Sequence, residues 1–129
     1  MKSLKAPLTV SKAALRVRRN LLPLVVGSVV LVTFPFSDLK GQKVRPALVL
    51  ANVEFDNLIL CQITSKPYTS KLSICIKSED FSEGNLPVIS YVRPDKLFTA
   101  DTTIIKDTIG KLTPKIRSKI LQSVRGLFA

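Results

Sequence analysis

The segment Gly27–Phe34 reads Gly-Ser-Val-Val-Leu-Val-Thr-Phe, with no alternation of polar and apolar residues through its centre. Its β-branched content marks an extended strand. A strand that is apolar on both sides cannot lie on a sheet with one wet face, because half of its side chains would then face water. It needs apolar cover on both sides, as a strand of a small closed barrel has. The 129 residues of the chain allow one such domain, with room for a tail.

The rest of the chain fits that demand. Ser37–Lys43 is a polar loop with turn residues, and Arg45–Ala51 is a second strand with Pro46 at its start. Proline holds the preceding Arg45 extended, which fixes its direction. Asp56-Asn57 turns the chain into a third strand, Leu58–Thr64. Further strands are expected at Leu72–Ile76, Val88–Val92 and, more briefly, Thr102–Ile109, with Ser82–Asn85 as a loop. Thr113 as N-cap and Pro114 in the first turn open a helix. Ile116, Ile120, Leu121, Val124 and Leu127 share one face of it. Short antiparallel strands and one late helix make a mainly β, α+β chain built as a small β-barrel.

Residues 1–26 stand apart. They carry six basic residues and no acid, whereas residues 27–129 carry 14 basic against 9 acidic, a net of +5 out of the total of +11. A short helix is expected over Lys12–Asn20, followed by an apolar stretch from Leu21 to Phe36. A basic start before an apolar run has the order of a signal peptide. Pro23, Gly27 and Pro35 interrupt the run, and no small-x-small cleavage site follows it. It is also too short and broken for a membrane helix. A cytoplasmic protein with no membrane partner is therefore expected. Residues 1–26 form a basic extension with three readings: a functional arm, a disordered tail, or a start assigned too far upstream.

The chain has no histidine, which excludes Ser-His-Asp and Cys-His catalysis, a His general base and His-ligated zinc. Two cysteines, Cys61 and Cys75, are too few for a structural zinc site, and both sit in apolar runs. Buried reduced thiols are expected there, with a cross-strand disulfide as the other arrangement. No Gly-rich phosphate loop, paired-carboxylate metal site or repeat is present, so neither cofactor nor metal is expected.

A net positive domain suits a polyanion, though charge alone shows only attraction. If the polyanion is RNA, catalysis needs no external nucleophile, because the 2′-OH beside each phosphate can attack it. The protein must align that attack and stabilise charge on the pentavalent phosphate. An arginine can hold two phosphate oxygens and a hydroxyl can donate to a third. Arg45 opens the second strand, and Thr64 and Ser65 close the third. A short turn joins these antiparallel strands, so the two ends can face each other. Taken singly, a surface arginine is ordinarily a solvated charge, and strand-end hydroxyls ordinarily satisfy backbone groups.

Five segments in order resemble the PemK/MazF-type toxins. They are Gly27–Asp38, Lys43-Val44-Arg45-Pro46-Ala47-Leu48-Val49-Leu50, Gln62-Ile63-Thr64-Ser65, Tyr91-Val92-Arg93-Pro94-Asp95-Lys96-Leu97-Phe98, and Ile109-Gly110-Lys111-Leu112. The resemblance covers about residues 27–128. The resemblance implies an SH3-like barrel with a C-terminal helix over 27–129, usually as a homodimer. It implies a metal-independent, sequence-specific endoribonuclease that cuts single-stranded RNA. That enzyme would be the toxin of a type II toxin–antitoxin pair, held silent by a cognate protein antitoxin and joining it in DNA binding. The family's catalytic arginine and threonine fall on Arg45 and Thr64. RNA contacts are implied for Phe36, Lys40, Lys43, Gln62, Ser65 and Lys66. For Arg93-Pro94-Asp95-Lys96 a structural role is expected, with Arg93 paired to Asp95 and Asp95 capping a turn.

The chain departs from the family in two places. Thr33 stands where many relatives carry an acid in the first strand, and the loop before Arg45 holds no acid nearer than Asp38. These two positions therefore supply no carboxylate for proton transfer. A guanidinium titrates above about 12 and is a poor base, so electrostatic stabilisation is the first role expected of the arginine. The competing functions are a non-catalytic RNA-binding barrel and a degenerate toxin kept as a binding partner.

Overall fold

The computed structural model describes residues 25–34, 43–67 and 71–129. Within them lie seven strands: β1 (Ser28–Phe34), β2 (Lys43–Val53), β3 (Asn57–Thr64), β4 (Ile74–Ile76), β5 (Phe81–Gly84), β6 (Ser90–Asp101) and β7 (Ile105–Leu112). One helix, α1 (Pro114–Gly126), follows them. All pairings are antiparallel, in the order β4-β6-β3-β2-β1-β7-β5. The result is a curled half-barrel sheet with one C-terminal helix, the mainly β, α+β class expected. The expected helix at Lys12–Asn20 and residues 37–42 of the expected loop Ser37–Lys43 fall outside the described residues, while Lys43 is not loop but the first residue of β2.

The two-sided character of β1 now has its reason. Val29 joins the larger apolar cluster, with Leu48, Cys61, Ile63, Val92 and the α1 residues Ile116 and Ile120. Val30 and Val32 join a second cluster with Ala47, Val49, Leu58 and Leu60. Both clusters are fully or nearly fully buried, so a polar residue on either side of β1 would lose apolar burial. Pro114 occupies the first turn of α1 as expected, while Thr113 makes no side-chain cap bond. Leu127 does not share the buried face. The helix ends at Gly126, and Leu127 lies beyond it, 37% exposed.

The strand boundaries differ from expectation at the far side of the sheet. Ser82–Gly84 is not a loop but part of β5, which pairs with β7. The strand expected at Val88–Val92 begins at Ser90 and continues to Asp101. It runs on past Pro94 because it bulges there. Cys61 pairs with Leu97 while the next residue, Gln62, pairs with Arg93, so Pro94, Asp95 and Lys96 have no partner on β3. Proline, which has no N–H to give, is tolerated at such a bulge. The Arg93–Asp95 ion pair, 3.2 Å, spans it. This segment is therefore structural, but as a bulge inside β6 rather than a turn capped by Asp95. Only Ile74–Ile76 of the expected Leu72–Ile76 strand is extended, and Thr102–Ile109 divides into a 3-10 turn at Thr102–Ile104 and β7.

Both cysteines are free thiols; Cys61 is buried and Cys75 only half-buried. Burial, and secondarily the charge of Asp95, pushes the Cys61 thiol from 9.0 up to about 12. The folded state thus holds its proton where the unfolded chain has lost it. The contribution to stability is complete below pH 9.0 and is lost as the pH climbs toward 12, at about 1.4 kcal/mol per pH unit. Cys61→Ala should flatten the alkaline limb of a stability-against-pH curve from denaturant titrations. An unchanged slope would show that other groups govern it.

Candidate active site at the open ends of two strands

The register between β2 and β3 sets the site. Ala47 pairs with Gln62, and counting two residues further along each strand brings Arg45 level with Thr64. The ladder itself ends at Ala47–Gln62, although both strands continue. Pro46, without an N–H, stands where it ends. On their other sides the two residues are held in place: Arg45 pairs with Val32 of β1, and Thr64 with Tyr91 of β6. The parting of the strands leaves a cleft of about 490 Å³ with Arg45, Thr64, Ser65 and Lys66 on its lining. Leu31, Pro46, Ile63 and Ile109 add apolar surface to it.

Arg45 is exposed, and among the described residues no carboxylate pairs with it. Thr64 serves its own backbone: the Lys66 N–H donates to Thr64 Oγ1 at 3.1 Å. That bond occupies the oxygen as an acceptor and fixes its position, while leaving the hydroxyl proton for another acceptor. The strand-end role and a site role are thus compatible. A cation and a positioned donor at the rim of a partly apolar cleft can bind a phosphate, with apolar surface beside it for a base. Among the described residues, no group of three or more His, Cys, Asp or Glu side chains could hold a metal ion.

Of the residues expected at the site, the structure brings together Arg45, Thr64, Ser65 and Lys66. Lys43 begins β2 opposite Phe34 and does not line the cleft. Gln62 lies inside the ladder between Ala47 and Arg93, half-buried, and does not line it either. Phe36 and Lys40 fall outside the described residues. The opposing wall, Asn85–Val88, was not expected. It is the segment between β5 and β6, fixed by Asn85, whose Nδ2 donates to Ser78 Oγ at 3.0 Å and whose Oδ1 accepts from the Leu86 N–H at 2.8 Å. No local pattern marks it, since only the β5–β7 pairing carries it to the cleft.

Solved structures share this fold. An endoribonuclease in complex with its cognate antitoxin from a mycobacterial species superposes with a TM-score of 0.65 at 18% identity, over 83% of this chain and 95% of that one. The MazE–MazF complex of Deinococcus radiodurans gives 0.65 at 18% identity, over 80% and 94%. The Mycobacterium tuberculosis toxin MazF-mt6 gives 0.62 at 16%, over 78% and 95%. Identities this low establish the fold alone. No curated protein matches the sequence. The family model of PemK-like, MazF-like toxins of type II toxin–antitoxin systems matches residues 26–128, well over half of the chain. The chain belongs to that family of toxins.

Proposed function

We propose that this toxin cuts single-stranded RNA at specific sequences without a metal ion, and that a cognate protein antitoxin holds it silent. The observation that carries this reading is Arg45, exposed and without a carboxylate partner among the described residues, level with Thr64 at the mouth of one cleft. The 2′-oxygen of one ribose attacks the adjacent phosphorus, and the bond to the departing 5′-oxygen breaks. A 2′,3′-cyclic phosphate and a 5′-hydroxyl result. The 2′-hydroxyl loses a proton and the leaving oxygen gains one, so the cleavage itself consumes no water. Arg45 binds two phosphate oxygens and offsets their growing charge, and Thr64 donates its proton to a non-bridging oxygen.

Residues 27–129 form the toxin unit in this reading, with residues 1–26 as a separate basic extension. The toxin acts as a homodimer in the cytoplasm and joins its antitoxin in DNA binding. Lys43, at the start of β2, contacts RNA in this reading together with Phe36 and Lys40, which precede it in the sequence. Among the described residues, no helix is long and apolar enough to cross a membrane.

Thr64→Val keeps the side-chain shape and removes the hydroxyl. It should slow cleavage about 10²-fold, the usual cost of one oxyanion donor, while Thr64→Ser restores most of the rate. Cutting of a single-stranded RNA in the presence of chelator reads the effect. Wild-type rates for Thr64→Val would remove the hydroxyl from the mechanism. RNA binding without cutting by the native protein would instead identify a binding barrel.

A further inference from the structure

A second polar groove lies beside the cleft, along β4 and α1. It consists of two adjoining cavities of about 550 and 380 Å³, which share Cys75 and Lys119. Lys71, Lys77, Lys115 and Lys119 line it, against Glu79 and Asp80. Asp80 is already engaged, accepting from the Lys77 N–H at 2.9 Å. Among the described residues none of the four ammonium groups is paired with a carboxylate. The four lysines outnumber the two carboxylates on the same lining, so the groove carries net positive charge.

The sheet register connects this groove to the cleft. Thr64 pairs with Tyr91 and Tyr91 pairs with Cys75, so one cross-strand row runs from the site to the groove. Two strand spacings separate its ends, about 10 Å. Ile63 and Ile109 of the cleft pack in the same apolar cluster as Ile116 and Ile120 of α1. Cleft and groove therefore border one core.

We infer that the β4–α1 groove is a track for the phosphates of nucleotides flanking the cleavage step. The inference rests on the proposed ribonuclease activity. Lysines suit this role, because an ammonium on a flexible stem neutralises a phosphate without reading a base. The cleft then fixes where the strand is cut, and the groove fixes how firmly a longer strand is held.

The test is anisotropy binding of oligouridylates of about 4 and about 16 nucleotides, across a salt series, to the full chain and to the Lys115→Gln/Lys119→Gln variant. Both lysines are exposed on α1, so the variant should keep the native unfolding midpoint. For the long strand, the slope of log K against log salt should fall by about 1.4, two contacts at about 0.7 each. Its binding should weaken on the order of tenfold near physiological salt. Binding of the short strand should not change. An unchanged slope, or equal losses for both lengths, overturns the track while leaving the cleft's role intact. If the native chain binds neither strand and cuts no RNA, the ribonuclease reading itself fails. If the variant loses binding to polyglutamate but not to RNA, the groove docks an acidic protein segment and the inference is wrong.

Discussion

Arg45→Ala is expected to lower the rate of RNA cleavage on the order of 10³-fold while leaving the fold intact. The side chain is exposed at the cleft mouth, and its neighbours in the β1 ladder, Pro46 and Val44, are untouched by the change. No hydrogen bond or ion pair within the described residues is lost with it. The loss should therefore fall on charge stabilisation in the transition state, not on stability. Arg45→Lys should recover only part of the rate, because an ammonium cannot hold two oxygens with a rigid fork. Single-turnover cleavage together with thermal unfolding separates the two effects. A variant that cuts like the native protein would take Arg45 out of the mechanism, and a variant that unfolds would give the side chain a structural role that the geometry does not show.

Gly84→Ala should be the most damaging of the single methyl additions. Gly84 has φ +66, a left-handed conformation that side chains disfavour. A Cβ there would also collide with the backbone carbonyl of Ile109, and a backbone cannot rotate away as a side chain can. Its cross-strand partner is Gly110, where a Cβ would meet the Glu83 carbonyl and the Phe81 ring. The two glycines let β5 and β7 approach, and that approach delivers Asn85–Val88 to the cleft. Roughly 2–4 kcal/mol of stability should be lost. Chain that remains folded should also bind RNA more weakly, because one wall has shifted. Denaturant titration and binding at a temperature where the variant is folded would report both. Loss of stability with unaltered binding would show that the Asn85–Val88 wall does not touch RNA.

The sequence was legible where local pattern and tertiary packing agree. Val29, Val30 and Val32 demanded cover on both faces and have it, and Pro114, Ile116 and Ile120 mark a helix that buries those two isoleucines. It was not legible at Arg93–Lys96, where a proline and adjacent charges read as the end of a strand. β6 continues through them because a bulge leaves Pro94 without a bond to make and Arg93 pairs with Asp95. Ser82–Asn85 has turn composition, yet most of it is a strand, since Gly84 pairs with a glycine far along the chain.

The site divided in the same way. That Arg45 and Thr64 lie near each other was legible from the short hairpin, but their exact pairing was not: a bulge between Val49 and Ala51 shifts the register by one, and counting from the turn alone would set Thr64 opposite Pro46. Lys43 and Gln62 are close to them in sequence, but strand pairing holds both away from the cleft lining. The Asn85–Val88 wall depends on β5 and β7 meeting, which nothing local announces. Charge was a poor guide throughout, since six of the basic residues lie in the first 26 positions.

The central claim is that the substrate's own 2′-OH does the attacking, with Arg45 and Thr64 holding the phosphate. The most direct measurement takes an RNA oligonucleotide with a mapped cleavage step and replaces the ribose on the 5′ side of that step with 2′-deoxyribose, in the presence of chelator. The account predicts full cleavage of the all-ribose strand, a 2′,3′-cyclic phosphate on its product, and no cleavage of the substituted strand. Continued cutting at the 2′-deoxy step, or activity that vanishes with chelator, would contradict it.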